Sequence, residues 1–374
     1  MNQTTDVVIV GGGVIGCFIA YELSKAGLEV TVVEKGEVGA EASSAAAGLL
    51  VPLHVADDER TPLFDLYLAS TRLFPEIVPE LESETGIRLE HAQEGVLRVS
   101  LDEAEAVANF SQFQTWQKSL GMEMMWLDKA ETHQLEPELV PSICGSILSP
   151  EEGVINNSRL VLALARAAAN RNAHFLEGHL ATGICGSSER FSALKTTQGE
   201  ITGDYLVIAT GAWSHVFCKS LDVSIPVTPA RGQMLAVKTI RHLVRHPVNS
   251  NRGAIVPRGD GSAYVGATVE HVGFDKRNTP KAIADLLERA ITLLPSLTGG
   301  QIEKTWSGLR PYCTDGLPVI GVLPGWKNVA VATGHFTMGI TGSPITAKVI
   351  KTLIVDGQWE PSMENFSPRR FAKH

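Results

Sequence analysis

Residues 7–16 read VVIVGGGVIG, an apolar run that breaks into the spacing G-x-G-x-x-G. Such a run predicts a buried parallel strand, and the glycines mark its turn into a helix. Gly11 allows the tight turn, Gly13 lets the backbone approach a pyrophosphate, and Gly16 lets the helix pack closely on the sheet. The N-terminus of that helix offers unpaired N–H groups to phosphates. The stretch therefore predicts a bound dinucleotide.

The residues that follow support this prediction. A helical segment ends at Gly27, and the β-branched run 30–33 forms a second strand that finishes at Glu34. An acidic side chain about twenty residues beyond the glycines can accept both hydroxyls of a ribose. These features serve NAD as well as FAD, so the type of dinucleotide stays open at this point.

The bulk composition is that of a globular protein. Of the 374 residues, 44% are hydrophobic and 20% charged, and no apolar stretch is long enough for a transmembrane segment. A net charge of −9 argues against nucleic acid as a partner. The five cysteines and eleven histidines show no metal-ligand spacing, so we expect no metal. The first strand begins near Asp6 and leaves no room for a cleaved signal, so we expect a cytoplasmic location.

The length exceeds what one hydrophobic core normally supports, so we expect two domains, or one interrupted by the other. Helical spacing of apolar residues runs from about Thr61 to Leu81, with a kink expected at Pro75. Further along, the apolar run 205–209 ends in Thr210-Gly211, and the run 329–333 leads through glycine into a helix. A plain strand-to-helix turn explains the first of these as well as a ligand contact does. The second indicates that the chain returns to the first domain.

With these motifs in order, the chain resembles the glycine oxidase and D-amino-acid oxidase family of FAD-dependent amine oxidoreductases, relatives of sarcosine oxidase. The likeness covers nearly the whole length and rests on six ordered segments, namely residues 11–16, 34–35, 42–49, 209–213, 308–321 and 334–341. It implies a mixed α/β fold, with a Rossmann-like FAD-binding domain and an interleaved antiparallel-sheet substrate domain. The implied domains are discontinuous: 1–85, 150–222 and 305–374 for FAD, and 86–149 and 223–304 for the substrate.

The resemblance also implies which residues hold a non-covalently bound FAD. Val14 and Ile15 would lie against the pyrophosphate, Glu34 and Lys35 at the adenosine ribose, and Ala181 at the adenine. The ribityl chain and flavin would be lined by Ala42, Ser43, Ala47, Gly48 and Leu49. The isoalloxazine ring would be surrounded by His335, Phe336, Thr337, Met338, Gly339, Ile340 and Thr341, with Gly211 as a second close approach of the backbone. Covalent attachment through Cys313 is disfavoured, because a buried free cysteine usually serves as a small apolar residue.

The implied chemistry is oxidation of a small amino acid: glycine, sarcosine or a small D-amino acid. Its α-carbon gives a hydride to flavin N5, the imine hydrolyses to an oxo acid, and O2 is reduced to hydrogen peroxide. No protein base is required, so no catalytic side chain is assigned. Arg310 is expected to anchor the substrate carboxylate through two parallel hydrogen bonds. Two alternatives remain: a dehydrogenase that passes electrons to a quinone or carrier, and a flavin-dependent RNA-modifying domain.

Three positions of the implied substrate pocket depart from the pattern of glycine-specific relatives. Thr337 stands where those relatives carry a second arginine, Ala254 lies near a position usually held by tyrosine, and Val269 stands where methionine is common. The first two changes alter the substrate pocket and the third makes it wider, so we expect an α-amino or N-alkyl amino acid without a strict preference for glycine. Whether the chain forms a homo-oligomer stays open.

Overall fold

The computed structural model describes residues 3–187, 189–219, 221–240 and 243–372. Its α-helices are α1 (Val14–Lys25), α2 (Ala42–Ala45), α3 (Pro62–Thr71), α4 (Phe74–Thr85), α5 (Glu103–Ser119), α6 (Lys129–Leu135), α7 (Asn157–Asn170), α8 (Ser214–Lys219), α9 (Pro280–Leu293) and α10 (Gly339–Val355). Its strands are β1 (Gln3–Val10), β2 (Val30–Val33), β3 (Leu49–Leu50), β4 (Val96–Ser100), β5 (Met125–Asp128), β6 (Gly145–Ser149), β7 (Gly153–Val154), β8 (His174–Leu176), β9 (Ala181–Ser187), β10 (Arg190–Thr196), β11 (Gly199–Ile208), β12 (Val227–Lys238), β13 (Val248–Ser250), β14 (Gly253–Pro257), β15 (Ser262–Gly266), β16 (Gln301–Cys313), β17 (Val319–Val322) and β18 (Val329–Thr333).

The first large sheet contains the strand that begins the chain. Its order is β17-β18-β11-β1-β2-β8, with β9 and β10 attached beside β11. Strands β18, β11, β1, β2 and β8 run parallel, so their carboxyl ends meet at one edge. Val7, Val8 and Ile9 of β1 are completely buried, as a parallel strand covered on both faces should be. Helices α7 and α10 both pack against α1, and the core of this unit forms between them and the sheet.

The second large sheet has the order β16-β12-β15-β14-β13-β4-β6-β5. Its neighbouring strands are antiparallel except for the parallel pair β13 and β4. Helix α9 covers one face, where Leu286, Ala290 and Leu293 share a core with Leu235 and Val265. The strands that the sequence assigns to a substrate domain lie in this sheet, although the domain boundaries themselves stay a prediction.

Local signals place several elements correctly. An aspartate directly before a helical segment is a favoured N-cap, and the Asp102 side chain accepts a 2.9 Å hydrogen bond from the Glu105 amide at the start of α5. The single kinked helix predicted over 61–81 is instead two helices, because α3 ends at Thr71 and α4 begins at Phe74. Pro75 lies in the first turn of α4, where its missing N–H costs no hydrogen bond. Within the described ranges, no helix combines the length and apolar character needed to cross a bilayer.

Candidate active site

The glycine loop lies between the end of β1 and the start of α1. Gly11 has φ of +108°, and a Cβ placed there would be 2.4 Å from the Ala209 carbonyl oxygen. A Cβ on Gly16 would be 1.9 Å from the Gly11 carbonyl oxygen. Both contacts are far below the separation that real Cβ atoms show, so only glycine fits at either position. The loop brings the N-terminus of α1 to the carboxyl edge of the first sheet, where ligands of such sheets bind.

Glu34 follows β2 at the same edge and is 9% exposed. Its Oε2 accepts a 2.7 Å hydrogen bond from the Gly12 amide, and its Oε1 accepts a 3.0 Å bond from the Gly36 amide. Each carboxylate oxygen has a further lone pair with which it can accept a hydroxyl. Beside it, the ammonium group of Lys35 lies 3.2 Å from the centre of the Trp213 ring. Glu34 therefore shapes the loop in addition to the ribose role predicted for it.

Residues 42–49 run across the carboxyl edge of the first sheet, and contacts to residues distant in the sequence hold them there. The Val14 amide donates to Ser43 Oγ at 2.9 Å, which ties the start of α1 to α2. Trp306 Nε1 donates to the Ala45 carbonyl at 3.0 Å, and Arg258 Nη1 donates to the Ala47 carbonyl at 3.3 Å. Gly48 has φ of +78°, and a Cβ there would be 2.1 Å from the Ile155 carbonyl oxygen. The segment is thus fixed against both large sheets.

Helix α10 brings a second N-terminus to the same place. Thr341 Oγ1 donates to the Leu49 carbonyl at 3.2 Å, which joins the first turn of α10 to the segment just described. Phe336, in the turn before the helix, has φ of +49°. The N-termini of α1 and α10 therefore both lie beside residues 42–49, although the two helices come from opposite ends of the sequence. Each N-terminus contributes a partial positive charge.

His335 is buried between these elements. Its Nε2 is 2.9 Å from Thr346 Oγ1, whereas its Nδ1 has no hydrogen-bond partner among the described residues. Burial lowers the pKa of His335 to about 4, so the imidazole is neutral at physiological pH. A buried polar atom without a partner is rare in a folded protein and indicates that a bound group can complete the site.

Arg310 lies on β16 and extends across the second sheet. Its Nη1 donates to the Thr268 carbonyl at 2.8 Å, and its Cζ lies 6.0 Å from the centre of the Phe336 ring. Among the described residues, no carboxylate lies within 4 Å of this guanidinium. Burial lowers the pKa of Arg310 to about 10, so the group is still a cation at neutral pH. A partly buried cation without a carboxylate partner, beside α10, is suited to bind an anion.

The other predicted substrate residues surround Arg310 less closely. Thr337 is exposed next to Phe336, and Val269 is 53% exposed in the segment after β15. Ala254 pairs with Gly266, which pairs with Met234, so these three residues share one face of the sheet with Gly232 and Arg310. Small residues, Ala254, Gly266 and Gly232, alternate on this face with the larger side chain of Met234. The roles of these side chains toward a substrate stay predictions.

Two positions predicted to contact the cofactor lie on the first sheet. Gly211 follows β11 with φ of +53°, and its carbonyl accepts hydrogen bonds from Ser214 Oγ at 2.8 Å and Thr333 Oγ1 at 3.1 Å. It thereby joins β11 to β18. Ala181 is the first residue of β9 and is partly buried. The cofactor roles of both positions stay predictions.

Sequence reasoning assigns no role to Glu270 and Asp275, yet both belong to a network behind Arg310. Arg231, 3% exposed, donates from Nη2 to Glu270 at 2.5 Å and lies 3.1 Å from Asp275. Glu270 also accepts from Gln233 Nε2 at 2.8 Å and from Thr268 Oγ1 at 2.6 Å. Burial alone would raise the pKa of Glu270, but these hydrogen bonds lower it to about 2. The network fixes Thr268, whose carbonyl holds Arg310.

The only signal for this network in the sequence is weak. Arg231 and Gln233 are polar residues at alternate positions in the middle of β12, whose buried neighbours are apolar or glycine. Their partners lie some forty positions further along the chain, so no local sequence pattern predicts these hydrogen bonds and ion pairs. Among the described residues, no cluster of three metal-ligating side chains is present.

The arrangement fits FAD. The glycine cradle, the two helix N-termini and the unpartnered His335 Nδ1 provide for phosphates and for a ring with polar edges. Cys313 is completely buried, and burial together with Asp315 raises the pKa of its thiol to about 11. The thiol is therefore protonated at neutral pH, which disfavours a covalent link to the cofactor.

Comparison with known proteins agrees with this geometry. The sequence profile of the family described as FAD dependent oxidoreductase (DAO) matches residues 6–353. The chain belongs to the DAO family of FAD-dependent oxidoreductases. The predicted resemblance and the predicted FAD cofactor are thereby confirmed, and the NAD reading of the glycine loop is excluded.

Individual members of the DAO family show how far the likeness extends. A glycine oxidase of Geobacillus kaustophilus is 34% identical over 356 residues, covering 95% of this chain and 94% of that protein. The crystal structure of glycine oxidase from the same species superposes with a TM-score of 0.94 at 33% identity and full coverage of both chains. The bifunctional protein ThiO/ThiG of Trichormus variabilis is 35% identical over 99% of this chain but only 56% of its own length. The predicted mixed α/β fold is confirmed.

Proposed function

We propose that this chain oxidises the amino or N-alkylamino group of a small amino acid, with O2 as the electron acceptor. The observation that carries the proposal is Arg310, a partly buried cation without a carboxylate partner in the described part of the chain. Its position beside Phe336 and α10 puts it next to the residues predicted to surround the isoalloxazine ring. The names of the glycine oxidase relatives support the same class of substrate.

The contribution of the protein to the reaction is to orient the substrate. Arg310 holds the substrate carboxylate, because a guanidinium offers two parallel N–H groups to a carboxylate. The α-carbon is bonded directly to the carboxylate carbon, so holding the carboxylate also positions the α-carbon. Correct placement of reacting atoms accounts for a large part of the rate enhancement in such enzymes. The segment 42–49 and α10 enclose the reacting centre and reduce its contact with water.

Bound FAD supplies the hydride acceptor for the substrate α-carbon. The N–H groups and dipole of the first turn of α10 would stabilise negative charge on a bound reduced cofactor. His335 stays neutral because burial lowers its pKa to about 4, so it adds no positive charge there. No side chain of the site is placed as a general base.

The substrate range is proposed to be wider than glycine alone. Ala254 presents only a methyl group on the face of the sheet that carries Arg310, and Val269 is 53% exposed and so does not close the pocket tightly. Thr337 adds no second cation for the carboxylate. We therefore expect sarcosine, D-alanine or D-proline to be oxidised at least as well as glycine.

The proposal is tested with the purified FAD-loaded protein. Each of the four amino acids is mixed anaerobically while flavin absorbance is followed, and hydrogen peroxide is measured after air is admitted. We expect at least one amino acid to bleach the flavin, with peroxide formed in equal amount. Arg310→Ala should raise the KM of that substrate by about a hundredfold or more, because a charge-assisted bidentate pair is lost.

Other results would contradict parts of the proposal. If no amino acid bleaches the flavin, the substrate class is wrong. Bleaching without reoxidation in air would show a dehydrogenase that needs a quinone or carrier. If Arg310→Ala binds substrate as well as the parent enzyme, Arg310 is not the anchor. The cytoplasmic location and any homo-oligomer remain predictions that these experiments do not address.

A further inference from the structure

Gly232 lies in the middle of β12, directly opposite Gly308 of β16. The neighbouring pair two residues along is Ala230 with Arg310. Directly paired residues of an antiparallel sheet point to the same face, and residues two apart on a strand do so as well. Gly232 and Arg310 therefore share the face of the sheet that is turned toward α2.

The Arg310 guanidinium lies flat across Gly232. A Cβ built on Gly232 would be 2.4 Å from Cζ, 2.4 Å from Nη1 and 2.4 Å from Nη2 of Arg310. Equal distances to three atoms of one planar group mean that the plane faces the Gly232 Cα. Real Cβ atoms essentially never come within 3.0 Å of another heavy atom in this way. No side chain, not even the methyl group of alanine, fits at position 232 while the guanidinium stays in place.

Backbone conformation does not explain the glycine. Gly232 is not among the residues with positive φ, and an extended strand accepts alanine readily. The opposite glycine has a different reason, because a Cβ on Gly308 would be 2.5 Å from the Ala45 Cβ and would push α2 away. Of the two glycines in this row, only Gly232 makes room for Arg310.

We propose that Gly232 is a positioning residue for the carboxylate anchor. The Gly232 Cα is the surface against which the guanidinium of Arg310 packs, and we call this contact the seat of Arg310. The Thr268 carbonyl accepts a hydrogen bond from Nη1 of Arg310, and the guanidinium lies over the Phe336 ring. With one N–H engaged by Thr268, the other N–H groups of the guanidinium are left to bind a carboxylate. This inference rests on the proposed role of Arg310 as the anchor.

The effect of adding a side chain is specific. The only atoms in the way are the far end of a flexible side chain, so Gly232→Ala should leave the fold and FAD binding nearly intact. The guanidinium must instead move off its seat, and its hydrogen bond to the Thr268 carbonyl must lengthen. Because such placement errors weaken carboxylate binding, we expect affinity for a carboxylate to fall about tenfold or more.

The test uses the FAD-loaded enzyme and acetate as the carboxylate probe, with binding read from the change in flavin absorbance. Gly232→Ala should raise the dissociation constant of acetate and the KM of the amino acid at least tenfold, with a much smaller change in kcat. The matched control is Gly299→Ala, where a Cβ meets nothing within 4 Å and should change neither constant. An unchanged acetate constant in Gly232→Ala would overturn the proposal.

The double variant Gly232→Ala/Arg310→Ala separates this inference from the proposed function. If Arg310→Ala leaves acetate binding unchanged, Arg310 is not the carboxylate anchor and the positioning role of Gly232 is also wrong. If Arg310→Ala abolishes binding but Gly232→Ala does not weaken it, only the seat is wrong. Should Gly232→Ala lower the melting temperature, adding Arg310→Ala must restore it, because the clashing group is gone. Failure to restore it would show that position 232 does not act through Arg310.

Discussion

At the scale of single residues, Glu34 combines two tasks that sequence patterns treat as one. The spacing from the glycines predicts a ribose contact, whereas the carboxylate oxygens also hold the amides of Gly12 and Gly36. Hydrogen bonds to a charged acceptor contribute about 1.5–3 kcal/mol each to stability when they are buried. The loop that receives the cofactor is thus already stabilised in the protein alone.

Replacing Glu34 by Gln tests this double role. One acceptor oxygen becomes an NH2 group that faces an amide donor, so the free energy of unfolding of the FAD-free protein should fall by about 2 kcal/mol. FAD affinity should also fall, about tenfold or more, as measured by titration of the apoprotein. Glu37→Gln is the control, because Glu37 is exposed nearby. A loss of FAD affinity at unchanged apoprotein stability would contradict the structural role.

His335 predicts a pH dependence of stability. Its pKa is lowered by burial from 6.5 to about 4, so the unfolded chain binds more protons between these pH values. Stability therefore rises with pH through this window, and the His335 contribution is lost as pH falls below 6.5. The loss should reach about 2 kcal/mol at pH 4.5.

The measurement compares the parent protein with His335→Gln by urea unfolding between pH 4.5 and 7.5, at the same FAD excess. Glutamine does not titrate, so the difference between the two unfolding free energies should change with pH, in the direction that disfavours the parent at low pH. A difference that is constant over this range would show that His335 is not buried as a neutral group.

At the scale of elements, the segment after β15 depends on a single buried arginine. Arg231 ties Glu270 and Asp275 to β12 from the face opposite the Arg310 side. Its side chain is 4% exposed, whereas that of Glu270 is 27% exposed, so losing the charged hydrogen bond between them costs about 2 kcal/mol. This segment contains Thr268, whose carbonyl accepts a hydrogen bond from Arg310, so a shift of the segment would also shift the Arg310 guanidinium.

Arg231→Met should lower the free energy of unfolding by about 2 kcal/mol and speed hydrogen exchange in residues 268–279. It should also weaken substrate binding, since Thr268 loses its fixed position. Arg289→Met is the control, because that arginine is exposed on α9. Unchanged exchange in 268–279 would mean that other contacts hold the segment.

At the scale of the whole molecule, local signals and long-range pairings differ in how far they can be predicted. The glycine loop, the strands that precede it and follow it, and the caps of α5 are encoded within a few residues, so the sequence predicts them and the structure has them. The break between α3 and α4 is local as well, but proline spacing alone does not distinguish a kink from a new helix.

The seat of Arg310 has no comparable local signal. It requires that β12 pair with β16 in one register, which brings Gly232 opposite Gly308 although more than seventy positions separate them. A register shifted by one residue would turn Arg310 to the other face. The same holds for the partners of Arg231. The motifs therefore predict the family, the cofactor and Arg310 as the proposed anchor, whereas the residues that position Arg310 are defined only by tertiary pairing.

The join between Thr341 and Leu49 has a consequence for how the protein is made. The cofactor cradle needs β18 beside β11 and the first turn of α10 beside residues 42–49. During synthesis on the ribosome, the glycine loop emerges early, but its partner surface does not exist until residues 329–341 have followed. The nascent chain therefore exposes an incomplete flavin cradle for most of translation, and capture of FAD is expected to coincide with the final closure of the fold.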